Sequence, residues 1–419
     1  MKIVPKIEFL LERAQLEAGR DQTVDVLVRI TPPDTDSVIG RRPKLNFGIV
    51  LDRSGSMGGE KMERAREAAS YCIDQLLPVD RLSLVIFDDV IEVLIPSQLA
   101  EHKAALKERL AHIYARNSTA LHEAWVRGGM QVSEHLTDGA INRVLLITDG
   151  QANVGLTNTD EIVTQAMGLF QRGVSTSTIG IGEDFQEDLL MPMAQSAGGN
   201  AWHVKRAEDL QRIFSIELEG LIAQVAHTVT LGLIPSDGVR LSDVLNDFEM
   251  NETGRYKLPN LQAGSSVDVL VQLRVPAQAA GTKRHLLDLR VGYTPQEAAS
   301  AEVVKQSLEV EFAETSSVKA LPVNEEVEKV VRMLMNARAR REAMAHMDRG
   351  DYVMARQVVT SALSASMPLF NSPAATPEVM EERQQLEEIE SSLTNRSEDK
   401  MTRKRLFYES YLRRNSKRQ

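Results

Sequence analysis

The stretch Phe47-Gly48-Ile49-Val50-Leu51-Asp52-Arg53-Ser54-Gly55-Ser56 decides how this chain is read. Its first half is a short unbroken apolar run, the pattern of a parallel strand buried on both faces of an α/β sheet. Open α/β sheets place ligands at the carboxyl ends of such strands. There the chain delivers a carboxylate, Asp52, and two hydroxyls, Ser54 and Ser56, at alternate positions around Gly55. All three are hard oxygen donors, which suit Mg²⁺ or Mn²⁺ rather than Zn²⁺. Asp and Ser are also favoured N-caps of helices. The choice between a cap and a metal site turns on whether oxygen ligands stand at other strand ends.

Outward from this stretch, strands and helices alternate over residues 44–222, which predicts a doubly wound, mostly parallel sheet. The strands expected after it are Arg81–Phe87, Arg143–Thr148, Val174–Ile181 and Ala201–Val204. The expected helices are Glu60–Leu77, Leu99–Tyr114, Leu121–Leu136, Asp160–Gln171, Glu187–Ala197 and Ala207–Ile222. The flanks are different. In residues 1–43, Gln22–Ile30 alternates with Val24, Val26, Val28 and Ile30 on one face, a half-buried strand. Residues 223–316 hold strand patterns at Thr228–Leu233, Arg255–Leu258, Val267–Val275, His285–Tyr293 and Val304–Phe312. Leu16-Glu17-Ala18-Gly19 leading to Val24-Asp25-Val26-Leu27-Val28 is echoed by Leu261-Gln262-Ala263-Gly264 leading to Val267-Asp268-Val269-Leu270-Val271. The echo predicts one β-sandwich with the α/β domain inserted into it.

Residues 320–419 read as a C-terminal α-helical region: Glu325–Met347, a second helix to about Ser364, a linker at Pro368–Pro377, then Glu378–Leu393 and Lys400–Arg414. Arg349-Gly350-Asp351 is a hairpin turn, with Gly350 ending one helix and Asp351 capping the next. The last residues carry Lys400, Arg403, Lys404, Arg405, Arg413, Arg414, Lys417 and Arg418 against Glu409. A solvated terminal helix is the expectation. The alternatives are docking on an acidic surface, a nucleic acid or an anionic membrane, and pairing with Glu381, Glu382, Glu387, Glu388 and Glu390 upstream.

Composition narrows the function classes. The 419 residues are 42% hydrophobic and 26% charged, as in soluble globular proteins. A net charge of −10 speaks against general nucleic-acid binding. The single cysteine, Cys72, excludes an intramolecular disulfide and falls in a helical pattern as a buried, inert thiol. No apolar run has the length of a signal peptide core or a membrane span, so a cytoplasmic location is expected.

Further oxygen ligands do stand elsewhere. Asn117-Ser118-Thr119-Ala120 leads into the helix at Leu121, and Thr148-Asp149-Gly150 ends the second central strand. With Asp52-x-Ser54-x-Ser56, these segments resemble the von Willebrand factor A domain and its metal-ion-dependent adhesion site, over about Lys44–Leu221. Asn117-Ser118 stands where that family commonly has Gly, and Thr119 is kept. The resemblance is to bacterial intracellular members with a flanking β-sandwich and C-terminal helices. It implies that Ser54 and Ser56 coordinate Mg²⁺ (or Mn²⁺ or Ca²⁺) directly. Asp52 and Asp149 would then hold it through waters or hydroxyls, and Thr119 directly or through water. It also implies an open coordination position for an Asp or Glu of a protein partner. A second reading makes the chain an adaptor of a MoxR-type AAA+ ATPase. A metal-dependent hydrolase is the remote alternative. Metal-assisted hydrolysis ordinarily needs a general base, and H-E-x-x-H, paired-Cys and phosphate-loop patterns are missing. His122, His135 and His203 read as packing or surface residues; Asp88-Asp89, at the end of a neighbouring strand, reads as a solvated acidic turn in preference to the alternative, a fringe of the site. The expectation is a binding protein, not an enzyme.

Overall fold

A computed structural model describes residues 4–33, 42–116, 118–137, 139–296, 298, 300–373, 375–395 and 399–415. The chain divides into two units, Met1–Gly40 with Gln224–Gln419, and Arg41–Ala223. The first unit opens with β1 (Lys6–Leu11), β2 (Gln15–Glu17) and β3 (Gln22–Thr31). The second contains β4 (Leu45–Asp52), α1 (Glu60–Gln75), β5 (Arg81–Phe87), β6 (Ile91–Leu99), α2 (Lys103–Leu110) and α3 (Leu121–Ser133). It continues with β7 (Ile141–Thr148), α4 (Thr159–Gln171), β8 (Ser175–Ile181), α5 (Glu187–Ser196), β9 (Gly198–Val204) and α6 (Leu210–Ile222). The first unit resumes with β10 (Gln224–Pro235), β11 (Arg240–Val244), β12 (Tyr256–Lys257), β13 (Leu261–Gln262), β14 (Val267–Val275), β15 (Lys283–Pro295) and β16 (Glu302–Ala313). Its helices follow: α7 (Thr315–Ala320), α8 (Glu325–Asp348), α9 (Tyr352–Phe370), α10 (Pro377–Asn395) and α11 (Asp399–Arg414).

In the first unit, among the described residues, one sheet has the order β1-β3-β14-β11 and the other β12-β10-β15-β16-β2, with β13 on β10. The two share a core, to which Val26, Val28, Val269 and Val271 come from one sheet and Leu231, Leu289, Val291 and Phe312 from the other. The sequence echo has a structural meaning. β3 and β14 are antiparallel neighbours, with Val26 opposite Val271, Leu27 opposite Leu270 and Val28 opposite Val269. The two copies are thus related by an approximate twofold through the Leu27–Leu270 pair. Each copy enters through the same turn, at Gly19 (φ +79°) and Gly264 (φ +74°), a left-handed conformation that strains other residues. Leu27 and Leu270 face away from the shared core and pack under Val327 and Leu334 of α8.

In the second unit the sheet order is β6-β5-β4-β7-β8-β9 among the described residues, and β4 lies parallel to both its neighbours. Every residue of β4 is buried, as its unbroken apolar run requires. Helix α3 approaches β4 closely because of two glycines. A Cβ on Gly128 would lie 2.2 Å from Val50 Cγ2, and one on Gly48 2.7 Å from Val132 Cγ2. The chain winds to β5 and β6 on one side of β4 and to β7–β9 on the other. The topological switch point therefore falls between β4 and β7, where such sheets form their crevice.

One expectation needs correcting here. The helix read at Leu99–Tyr114 is shorter, Lys103–Leu110, and Ile91–Leu99 before it is an antiparallel edge strand on β5. Pro96 inside that strand is tolerated because an edge strand need not donate on its outer side.

The C-terminal helices have a core of their own, with Met333 and Ala343 of α8, Val359 and Phe370 of α9, Leu386 and Ile389 of α10, and Leu406 of α11. Gly350 (φ +76°) closes α8, and the Asp351 carboxylate accepts from the Met354 N–H at 3.1 Å to cap α9. Helix α9 runs past the expected end at Ser364, through Pro368 to the buried Phe370. Pro368 forgoes one backbone hydrogen bond there, a cost offset by the burial of Phe370. The terminal helix is not solvated. Leu406, Tyr408, Tyr411 and Leu412 of α11 are buried. Its basic side chains are largely consumed within the bundle: Arg405 pairs with Glu388, Arg413 with Glu378 at 2.7 Å and Glu382 at 3.2 Å, and Arg403 with Asp348 at 2.7 Å. Lys417, Arg418 and the side chain of Lys400 lie outside the described residues. At the centre of the bundle, buried Arg340 stands between Glu382 (2.8 Å) and Glu409 (3.4 Å). Among the described residues, no helix is long and apolar enough to cross a membrane.

Candidate metal centre

Strands β4 and β7 are neighbours, so Asp52 at the end of one and Asp149 just after the other leave the sheet side by side. Asp52 Oδ1 accepts from the Ser54 N–H at 2.7 Å, and its Oδ2 from the Thr148 hydroxyl at 2.5 Å. The Ser54 and Ser56 hydroxyl oxygens are 3.2 Å apart. Ser56 donates to Asp149 Oδ1 at 2.7 Å, and Asp149 Oδ2 pairs with the ammonium of Lys61 from the first turn of α1. Thr119 is buried in the loop before α3, its N–H donating to Asn153 Oδ1 at 3.3 Å. Gly150 borders the same space, since a Cβ on it would lie 3.5 Å from Thr119 Oγ1 and 3.8 Å from Asp52 Oδ2. All five residues read as ligands thus meet at one place. Asn117 lies outside the described residues.

The two carboxylates are almost wholly withdrawn from water. Burial pushes the Asp52 carboxyl up to about 6, opposed by the hydrogen bonds from Thr148 and Ser54 and reinforced by the charge of Asp149. The family model of the von Willebrand factor type A domain matches residues 46–216. This part of the chain is a von Willebrand factor type A domain.

Similarity extends beyond the A domain. The protein sll0103 of Synechocystis is 26% identical over 314 residues, which cover 67% of this chain and 73% of that protein. The structure of a von Willebrand factor type A protein from Catenulispora acidiphila superposes with a TM-score of 0.66 at 19% identity, over 92% of this chain and 90% of that one. That of the ArnB paralog VWA2 from Sulfolobus acidocaldarius gives 0.58 at 17% identity, over 97% and 98%. At these identities the structures establish the fold alone. Two further curated relatives are matched over only 33% and 20% of their own lengths.

The donor set of the A domain fits a hard divalent cation. The separation of 3.2 Å between the Ser54 and Ser56 oxygens is near the edge of a Mg²⁺ octahedron, about 3.0 Å for bonds of about 2.1 Å. Two carboxylates buried together repel, and a dication between them would relieve both that repulsion and the burial cost on Asp52. The competing role as helix caps is not taken up. Ser54, at the N-cap of the short helical turn Gly55–Met57, makes no side-chain cap, and the N-cap of α1 is Gly59, outside the Asp52–Ser56 stretch.

Of the two readings of Asp88, the fringe of the site holds and the solvated turn does not. Asp88 is not part of a solvated turn but fully buried. Its Oδ1 accepts from the Val90 N–H at 2.8 Å, and its Oδ2 faces Arg116 Nε at 2.6 Å and Arg53 Nε at 3.3 Å. Around it the Arg116 N–H donates to the Arg53 carbonyl at 2.7 Å and the Ala120 N–H to the Asp88 carbonyl at 2.8 Å. Asp88 therefore ties the loop of Ser54 to the loop of Thr119. Its sequence signal was its place at a strand end, directly after Phe87. His122 is hydrogen-bonded to Gln165 and His203 to the Gly182 carbonyl, each at 2.9 Å and neither to the five donors.

Proposed function

We propose that this protein binds a protein partner through a divalent cation, Mg²⁺ or a close substitute, held by Asp52, Ser54, Ser56, Thr119 and Asp149 as a metal-ion-dependent adhesion site. The observation that carries the proposal is the meeting of three hydroxyls and two buried carboxylates at the switch point between β4 and β7. Bound there, the cation supplies a coordination position for an anionic oxygen, and an Asp or Glu of the partner matches it. The chain's residues order the donors: Thr148 and the Ser54 N–H orient Asp52, Ser56 orients Asp149, and Asp88 fixes the two loops. The role is to grip rather than to catalyse.

The test immobilises the wild type and the Ser54→Ala/Ser56→Ala variant and exposes both to lysate, with Mg²⁺ or with EDTA. Capture by the wild type in Mg²⁺ alone is expected. Equal capture by the variant, or capture indifferent to EDTA, refutes the proposal. Recovery of a MoxR-type AAA+ ATPase in the chelator eluate would make the chain its adaptor.

A further inference from the structure

Lys61 occupies a position that the donor set does not require. It stands in the first turn of α1, and its ammonium pairs with Asp149 Oδ2, the oxygen left over when Ser56 has taken Oδ1. The Asp149 side chain has no exposure, whereas that of Lys61 is 35% exposed. The lysine therefore reaches in from solvent to a buried carboxylate and has water to retreat into. Its stem passes the turn after β8, where a Cβ on Gly182 would come within 3.8 Å of the ammonium. Asp52 and Asp149 are buried with a net charge that one ammonium only partly offsets.

We infer that Lys61 is a built-in competitor of the cation: it neutralises Asp149 when the metal is absent and lowers the affinity of the site when the metal binds. This rests on the metal reading above. The competition is electrostatic. A positive charge sharing a carboxylate with a dication must either stay and repel it or give up its own pairing with Asp149, and even at the dielectric of water the repulsion at such short range is worth about tenfold in an equilibrium constant. The same charge stabilises the metal-free protein, because unpaired buried carboxylates are costly. Removing it leaves Asp149 still oriented by Ser56, so the ligand is not lost with its counter-ion.

The experiment titrates Mn²⁺ and Mg²⁺ calorimetrically into metal-free wild type, Lys61→Met, Lys61→Arg and Ser54→Ala/Ser56→Ala, and melts each in EDTA and in Mg²⁺. Lys61→Met is expected to bind about tenfold more tightly, to melt lower in EDTA and to gain more from Mg²⁺. Lys61→Arg keeps the charge and should stay near the wild type. If Lys61→Met folds poorly without metal, Lys61→Gln, which retains a donor, takes its place. Binding by the wild type with equal or weaker binding by the neutral variants overturns the inference and leaves the metal reading standing. No binding by any protein overturns the metal reading itself. Binding by the neutral variants with none by the wild type supports the inference in its strongest form.

Discussion

Replacing Asp88 by Asn tests whether a buried carboxylate outside the donor set holds the loops of Ser54 and Thr119 together. The substitution preserves shape and the acceptor for the Val90 N–H but removes the charge facing Arg53 and Arg116. The two arginines differ in what they lose. Arg53 has a side chain 7% exposed and would be left as an uncompensated buried cation, whereas Arg116 is 52% exposed and water can replace its partner. Breaking a buried pair by removing one member costs about 3–5 kcal/mol, and an exposed pair contributes about 0–1. Glu92 still reaches Arg53 at 3.1 Å, so the low end is expected, about 3 kcal/mol. Urea unfolding in EDTA measures it. Both tryptophans, Trp125 and Trp202, lie in the α/β unit, so their fluorescence reports that unit alone. The cost should also depend on pH. Burial alone would raise the Asp88 carboxyl, but the Val90 N–H, Arg116 and Arg53 outweigh it and hold it below the usual range. Stability gained this way is present above the unfolded carboxyl value of about 4 and is lost as pH falls through the native value. The difference between wild type and Asp88→Asn should accordingly shrink in acid. In a double-mutant cycle, Arg53→Met should recover at least about 1 kcal/mol. A cost under about 1 kcal/mol, or additive single mutants, refutes the clamp.

Other perturbations reach other parts of the molecule. Gly128→Ala places a methyl group 2.2 Å from Val50 Cγ2 and should destabilise the α/β unit by about 1–3 kcal/mol, with Val50→Ala relieving part of it, as chemical melts would show. Arg340→Met removes the buried cation between Glu382, which keeps Arg413 at 3.2 Å, and Glu409, which keeps Arg405 at 3.9 Å, and should cost about 3 kcal/mol, read from far-ultraviolet circular dichroism of the unfolding chain. Chelation should lower the melting temperature of the wild type and leave that of Ser54→Ala/Ser56→Ala unchanged; a shift in both would place the metal elsewhere.

The central strand and the five donors were legible because each signal is local: an unbroken apolar run, then oxygen-bearing side chains directly after strand ends. Val24 to Ile30 was legible for the same reason, since period-two alternation reports its own burial. Asp88 was not, because its neighbour Asp89 makes the pair resemble an exposed turn, and its partners are Arg53 and Arg116 from two other loops. Strand β6 was hidden by Pro96, which argues against a strand unless the strand is known to be at an edge. The fate of Arg405 and Arg413 was likewise a tertiary matter. Their charges and those of Glu378, Glu382 and Glu388 were visible, but only the packing of α11 brings them together.

The pairing of β3 with β14 bears on how the chain is made. Arg29 and Asp268, which face each other across the two strands, are 239 positions apart. At a synthesis rate of about 5–20 residues per second, strand β3 waits on the order of 10–50 s for the neighbour that covers it. Throughout that time Val26, Leu27 and Val28 have β1 on one side and an unclaimed row of backbone donors and acceptors on the other. The inserted A domain, complete by Ala223, can fold within the interval, while the strand that precedes it stays open to pairing with another nascent chain. The sandwich is thus the part of this protein most dependent on timing, and slowing synthesis between β9 and β14 should raise aggregation without altering the folded product.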